Sequence, residues 1–137
     1  MEIRLGTPSD REKILLIRPQ AADFIDGDYL VVAEEDGVPL GFATVFVRKI
    51  PAPIDASEAF INVIDVLDET RRNKGIASAM IEKIAQIERE RKSYQLRAYC
   101  DIGNSASHSL WLKNKFGISP VKMPDGNIVG SYVTLVL

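Results

Sequence analysis

The feature that most constrains the fold is an ordered succession of three apolar segments between residues 59 and 100. Ala59–Leu67 is rich in β-branched residues and predicts a buried strand. From Lys74 to Arg91 the apolar residues recur at helical spacing, as Ile76 and Met80 illustrate. Gln95–Cys100 then predicts a second strand. Because strands joined by a crossover helix usually pair in parallel, we expect these two strands to be parallel neighbours in one sheet.

The N-terminal segment predicts a short strand and a capped helix. Ile3 and Leu5 have strand-like alternation. Thr7 can cap a helix, Pro8 suits its first turn, and Asp10 completes a capping-box pattern. Pro19 is expected to stop this helix.

Two hairpins complete the predicted sheet. Asp36-Gly37 is a strong turn signal between strands Tyr29–Glu34 and Gly41–Val47. Ile118–Met123 and Ile128–Leu137 flank a second turn. The segment from Lys49 to Glu58 contains two prolines, and we expect it to be irregular. The chain is therefore expected to be a single domain, residues 1–137, of the α/β (α+β) class: a mixed sheet of about seven strands with helices on both faces.

Composition excludes several classes of function. The net charge is −2 with both signs interspersed, which argues against a nucleic-acid binder. Cys100 is the only cysteine, so no internal disulfide can form and a reducing, cytoplasmic location is expected. No stretch has the length of a membrane span, so no membrane partner is expected. His108 is the only histidine, which gives little support to a metal site or a Ser-His-Asp triad.

The start of the long helix predicts an anion site. The first turn of a helix has unpaired N–H groups and a partial positive charge. Gly75 and Ala77 allow close approach to that backbone, and Arg71, Arg72 and Lys74 add positive charge. The alternative is an ordinary helix start with solvated basic residues. The two common nucleotide-binding glycine motifs are absent.

This stretch resembles the CoA-binding motif of the GNAT superfamily of N-acyltransferases, R/Q-x-x-G-x-G/A after a buried strand. Arg72, Gly75 and Ala77 occupy its fixed positions. Residues 104–116 resemble the family's second motif, N-x-x-A-x-x-L-Y-x-K-x-G-F. The predicted order of strands and helices also follows that family. The resemblance implies a GNAT-like sheet that is splayed at its centre, between the fourth and fifth strands.

The resemblance also implies where CoA binds. The backbone of residues 73–78 would hold the pyrophosphate, the backbone of residues 65–67 would pair with the pantetheine arm, and the second motif would contact that arm from the other side. The implied CoA-binding residues are Asp65, Val66, Leu67, Arg72, Asn73, Lys74, Gly75, Ile76, Ala77, Ser78, Asn104, Ser107 and Trp111.

The implied function is transfer of an acetyl or other short acyl group from acyl-CoA to a primary amine, by direct attack in a ternary complex. Acetyl-CoA would be the cosubstrate, the acceptor an amine, and no metal would be needed. The alternative is a GNAT-like domain that binds or senses acyl-CoA without turnover.

The chain departs from the family motif at the positions expected to carry the catalytic groups. Trp111 stands where the family often has a tyrosine, and an indole is too weak an acid to protonate a thiolate. Lys115 replaces the motif's glycine. Tyr99 is the first candidate for the acid, and Asp65 is the best-placed candidate for the base. Each could instead be structural: a half-buried strand aromatic, and a carboxylate bonded to nearby backbone.

Other reactive side chains have plainer interpretations. His108 is expected at or near the surface, and Cys100 as a small packed side chain rather than a nucleophile.

Two further expectations concern partners. Acidic residues near the implied acceptor pocket would favour a cationic amine, or could simply form a solvated face; they are Asp23, Asp26, Asp28, Asp55 and Glu58. The last strand is apolar on both faces and could form an exposed sheet edge, which suggests a homodimer.

Overall fold

The computed structural model of the chain describes all 137 residues, and its centre is one sheet of seven strands in the order β1-β2-β3-β4-β5-β7-β6. The strands are β1 Glu2–Leu5, β2 Tyr29–Glu35, β3 Val38–Ile50, β4 Ala56–Val66, β5 Gln95–Asp101, β6 Gly117–Lys122 and β7 Ile128–Val136. The helices are α1 Pro8–Ile17, α2 Ile76–Glu90 and α3 Ser105–Lys113, with 3₁₀ turns at Pro19–Asp23 and Glu69–Arg71.

The predicted parallel pair is confirmed. β4 and β5 are parallel neighbours, in register from Glu58 with Gln95 to Ile61 with Ala98. All other neighbouring strands are antiparallel. The sheet is therefore mixed, as the order of elements predicts.

The sheet separates two apolar cores, one on each face. The larger core lies under α2 and α3 and includes Met80, Leu96 and Trp111. The smaller core lies under α1 and includes Ile14 and Phe42. This arrangement confirms helices on both faces.

A bulge in β4 marks the point at which the sheet opens. In the pairing with β3, Thr44 lies opposite Val63 and Val45 opposite Ile61, so Asn62 is an extra residue without a partner. A bulge bends its strand and increases the local twist. The pairing of β4 with β5 ends at the residue before the bulge, and the strands then diverge. We call this divergence the fork. It is the central splay that the family resemblance implies.

The local signals for α1 and for the first hairpin are confirmed. Thr7 and Asp10 form a reciprocal capping box, and α1 ends at Ile17, before Pro19. Asp36 and Gly37 both have positive φ, 52° and 77°, as a tight primed turn requires.

The predicted boundaries are wrong around the two prolines. β3 continues to Ile50 and β4 begins at Ala56, so only residues 51–55 are irregular. Proline removes a ladder donor only at its own position, and the residues that flank the prolines still pair.

The sequence suggested that the last strand forms a sheet edge, but in the structure it does not. β7 pairs with β5 on one side and with β6 on the other. β7 is therefore an interior strand, and both of its hydrogen-bonding sides are paired. The edges are β1 and β6, and β6 includes Pro120, a residue that weakens edge pairing. The edge-based argument for a homodimer fails.

The long helix is fixed to the sheet by a buried carboxylate. Glu88 is fully buried, accepts a hydrogen bond from the Tyr29 hydroxyl at 2.7 Å and another from the Ser93 hydroxyl at 2.6 Å. Burial and this neighbouring carboxylate raise the pKa of Tyr29, so the phenol stays a donor. A paired buried carboxylate of this kind holds α2 in one position relative to the fork.

Candidate active site

A groove of about 430 Å³ lies at the open end of the fork, where the end of β4, the loop before α2 and one face of α3 converge. This volume is in the range typical of ligand sites. Ten of the sequence-predicted residues line it together: Asp65, Val66, Arg72, Asn73, Gly75, Ile76, Ala77, Ser78, Asn104 and Ser107.

The other four predicted residues do not line the groove. Leu67 packs into the core under α1, and Lys74 is exposed on the loop. Trp111 is only 2% exposed, packs against Phe116 at a ring distance of 5.0 Å and lies inside the larger core. Tyr99 lies on the opposite face of the sheet, as described below.

The first turn of α2 presents free backbone donors to the groove. The N–H groups of Ile76, Ala77 and Ser78 form no backbone hydrogen bond, and no side chain caps this 15-residue helix. The helix is preceded by two residues in the left-handed region, Asn73 at φ 62° and Gly75 at φ 85°. Apart from Gly75 and its two chain neighbours, no residue has an atom within 4 Å of the position a Cβ on Gly75 would occupy. The backbone is thus open to a bulky anion at the positive end of a long helix.

The opposite wall is the N-terminal turn of α3. The Asn104 side-chain oxygen caps this helix by accepting from the Ser107 N–H at 3.1 Å, which leaves its NH₂ group free for a ligand. The Ser107 hydroxyl oxygen accepts from the Trp111 indole at 3.0 Å. Trp111 therefore positions a groove residue from behind.

Asp65 lies at the end of β4 on the face that carries α1. Its carboxylate pairs with the Arg18 guanidinium at 3.0 Å. Burial raises the pKa of Asp65 above its usual range, and the positive charges of Arg18 and Arg72 oppose this shift without cancelling it. A half-buried carboxylate with a raised pKa beside the fork is suited to accept a proton.

Tyr99 is the first β5 residue beyond the last pair with β4. Its hydroxyl donates to the Val129 carbonyl at 3.3 Å, and its ring meets Tyr132 edge to face. The ring lies across Gly130, where an added Cβ would come within 2.3 Å of the hydroxyl. Desolvation, together with Asp101, raises the pKa of Tyr99, so the phenol retains its proton at neutral pH.

The structure places the Cys100 and His108 side chains in contact, which the sequence analysis did not predict. The Cys100 sulfur lies 3.4 Å from Nδ1 of His108, and the same Nδ1 lies 3.1 Å from the Asn104 carbonyl. Cys100 is 2% exposed within the larger core. Its packed position agrees with the structural interpretation.

Most of the acidic residues predicted near the acceptor pocket form ion pairs or hydrogen bonds within the chain. Asp26 pairs with Arg11, the Asp28 carboxylate accepts from the Val47 N–H, Asp55 pairs with Lys49, and Glu58 pairs with Arg48. These contacts leave little support for a dedicated pocket that binds a cationic amine.

Sequence reasoning missed Arg18, Asn114 and one face of α3. Asn114 donates from its side-chain amide to the Ser78 hydroxyl at 3.1 Å and so connects α3 with α2 behind the groove. Four α3 residues beyond the predicted CoA-binding residues line the groove, and two of them, Leu110 and Lys113, belong to the second motif; the four are Ala106, Ser109, Leu110 and Lys113. Their spacing of i, i+3, i+4 and i+7 is the signal that could have found them. Arg18 gave no such signal, because it contacts Asp65 across 47 residues.

Two general findings concern metals and membranes. No group of three or more His, Cys, Asp or Glu side chains is arranged to hold a metal ion. None of the helices combines the length and the apolar character needed to cross a membrane.

A mixed sheet that forks between two parallel strands, with an uncapped helix start facing the fork, defines a protein that can bind a phosphate-bearing ligand at this point. The sequence model of the acetyltransferase (GNAT) family matches residues 3–117. The chain therefore belongs to the GNAT family of acetyltransferases. No curated protein sequence matches it significantly.

Solved structures agree on the fold. Ribosomal-protein-alanine N-acetyltransferase from Brucella melitensis is 20% identical with a TM-score of 0.75, and the match covers 100% of both chains. NAA60 from Arabidopsis thaliana in complex with acetyl-CoA is 16% identical with a TM-score of 0.73, over 99% of each chain. Aminoglycoside N-acetyltransferase AAC(6')-Iy in complex with CoA is 22% identical with a TM-score of 0.75, over 89% of this chain and 96% of that one.

Proposed function

We propose that the chain transfers an acetyl or other short acyl group from acyl-CoA to a primary amine, by direct attack in a ternary complex. The observation that carries the proposal is the set of unpaired N–H groups at the start of α2, which face a groove at the fork. The proteins with similar structures are, by their names, N-acetyltransferases, and two of them were solved with acetyl-CoA or CoA.

The cofactor assignment follows from the two walls of the groove. We propose that the backbone of residues 73–78 holds the pyrophosphate, with charge from Arg72 and Lys74. Beyond the bulge, the backbone groups of β4 that face β5 have no partner in the sheet, so the backbone of residues 65–67 can pair with the pantetheine arm. Asn104 and Ser107 close the other side. Trp111 supports this wall through its hydrogen bond to Ser107.

The proposed chemistry uses the backbone and two side chains. Free N–H groups along the diverging part of β4 stabilise the negative charge that develops on the thioester oxygen. Asp65, with its raised pKa, accepts the proton of the amine. Tyr99 delivers a proton to the departing thiolate, for which its hydroxyl must leave the long hydrogen bond to Val129. Cys100 takes no part, because its sulfur is packed in the core.

A second candidate is a domain that binds acyl-CoA without turnover. The observation that favours it is the buried position of Trp111, which leaves no phenol on α3 at the groove. The two candidates share the cofactor site and differ only in catalysis.

Two measurements test the proposal. Thermal unfolding with acetyl-CoA, CoA or ATP tests the cofactor site, because a ligand that binds only the folded state raises the melting temperature. We expect a rise with the first two ligands and none with ATP. Release of free CoA thiol from acetyl-CoA with a panel of primary amines then tests turnover. Asp65→Asn tests the proposed base and should lower kcat by about 100-fold. Tight acetyl-CoA binding without thiol release above hydrolysis would leave the binding domain as the function.

Two properties of the whole protein also remain proposals. We propose a single domain spanning residues 1–137 and a cytoplasmic location that suits a lone reduced cysteine. The homodimer stays an untested expectation, because the edge argument for it fails. The hydrodynamic mass tests it, and a monomer mass would exclude it.

A further inference from the structure

One face of the sheet has no helix over its C-terminal half. α2 and α3 pack on the other face, together with the buried residues Ala98 and Val133. Tyr99 and Tyr132 are each 38% exposed on the uncovered face, and Phe60 lies beside them, half buried. We call this surface of β4, β5 and β7 the open face. Since the proposed CoA groove lies under α2 and α3, an acceptor reaches the fork from the open face.

Arg97 is placed on the open face directly beside the fork. It is paired side by side with Phe60, and the next residue, Ala98, is the last β5 residue in register with β4. A strand advances by about 3.3 Å per residue, so the Arg97 backbone lies within one residue of the point of divergence. Arg97 therefore belongs to the part of the open face that borders the fork.

The guanidinium of Arg97 lies over an aromatic ring, and most of its N–H groups have no hydrogen-bond partner. It stacks on the Tyr132 ring, with its central carbon 4.7 Å from the ring centroid. Its Nε donates to the Thr134 hydroxyl at 3.3 Å, and its Nη1 makes a long ion pair with Glu58 at 3.8 Å, without a hydrogen bond. Nη2 has no partner. The Tyr132 ring supports one side of the guanidinium, and the free Nη2 can donate to a carboxylate.

The one carboxylate near Arg97 is directed elsewhere. Both short contacts to Oε2 of Glu58 come from Arg48, at 3.0 and 3.1 Å, and its Oε1 accepts from Gln95 at 3.1 Å. Two guanidinium groups thus face one carboxylate that is 5% exposed. The cluster of Arg48, Glu58 and Arg97 carries a net charge of +1, which matches one acceptor carboxylate.

We propose that Arg97 binds a carboxylate of the acceptor, so that the substrate is a primary amine that also carries a carboxylate. The amine then reaches the fork from the face of the sheet that carries Asp65, and the carbon chain between the two groups lies along the open face beside Tyr132. This inference rests on the proposed acetyl transfer. It names the acceptor class, which the family leaves open.

The test compares acceptors in matched pairs. β-Alanine, 4-aminobutyrate and 4-(aminomethyl)benzoate are each compared with their primary amide in the thiol-release assay. We expect kcat/KM to be at least 10-fold higher for the carboxylate in at least one pair, since hydrogen bonds to charged groups have about this strength. Raising the ionic strength should reduce the preference.

Two variants locate the preference. Arg97→Gln should bring the ratio within the best pair to about one, chiefly by lowering kcat/KM for the carboxylate. The control is Arg89→Gln, which removes the same charge from the exposed end of α2 and should keep the preference.

Failure of this inference is distinct from failure of acetyl transfer. Turnover with equal kcat/KM in every pair, or a preference that survives Arg97→Gln, overturns the carboxylate assignment and leaves acetyl transfer intact. The comparison of pairs in the unchanged protein decides this even if Arg97→Gln does not fold. No thiol release with any amine, from protein that binds acetyl-CoA, overturns the proposed function and this inference with it.

Discussion

Replacement of Gly75 by aspartate or asparagine isolates the electrostatic part of cofactor binding. Gly75 has φ 85° and ψ 7°, where an ordinary L-residue loses about 1–2 kcal/mol. Asn and Asp tolerate this region better than other residues and are favourable at a helix N-cap. Apart from Gly75 and its two chain neighbours, no residue has an atom within 4 Å of the new Cβ. Both variants are therefore expected to fold, and they differ in one unit of charge at equal size.

The magnitude follows from Coulomb's law. The aspartate carboxylate would lie about 5 Å from a phosphate held by the first turn of α2. At this distance two unit charges repel by about 0.8 kcal/mol at a dielectric constant of 80 and by about 3.3 kcal/mol at 20. Gly75→Asp should therefore bind CoA between about 4-fold and 250-fold more weakly than Gly75→Asn.

Titration calorimetry with CoA gives both dissociation constants, and circular dichroism confirms that both variants are folded. The difference should shrink in high salt, because the groove is open to solvent and its charges are screened. Equal affinities of the two folded variants in low salt would refute the assignment of the pyrophosphate to this helix start.

Three further predictions concern catalysis and stability. Tyr99→Phe should lower kcat about 100-fold with little change in acetyl-CoA affinity, and full turnover in a thiol-release assay would show that the thiolate leaves unprotonated. Arg18→Met removes a charge that lowers the pKa of Asp65, so the acidic limb of the kcat/KM profile should move to higher pH; an unmoved limb would exclude Asp65 as the base. The hydrogen bond from Arg4 lowers the pKa of Asp10 from 3.8 to about 2, and the resulting stability is present above pH 3.8 and lost as the pH falls toward 2. Asp10→Asn should cost about 2 kcal/mol at pH 7 in urea unfolding and less at pH 3, and a cost that is independent of pH would contradict this.

Local signals in the sequence were sufficient for much of the fold. The capping box of Thr7 and Asp10 and the Asp36-Gly37 turn depend on neighbouring residues alone, and both form as predicted. The parallel pairing of β4 with β5 followed from the crossover helix between them. In each case the physical cause lies within the segment that shows the pattern.

The errors have a different origin. The sequence of β7 does not reveal which strand pairs with its far side, and β6 covers the edge that appeared free. The α3 motif could not show that Trp111 points into the core, because burial depends on the sheet beneath the helix. The pair of Asp65 with Arg18 joins the end of β4 to the end of α1. Such long-range contacts become visible only once the chain is folded.

The bulge at Asn62 links the two halves of the site. It ends the pairing of β4 with β5, so the backbone that a continuous sheet would satisfy becomes available to a ligand. Because side chains alternate along a strand, the same opening is bordered by Ile64 and Val66 on the α2 face and by Asp65 on the other. Acyl-CoA and amine can therefore approach one gap from opposite faces of the sheet without competing for space. Direct attack in a ternary complex requires this separation. The cofactor motif lies in one continuous segment at the start of α2, so the sequence shows it. The proposed acceptor site depends on Arg97 and its neighbours on the open face, which come from different strands.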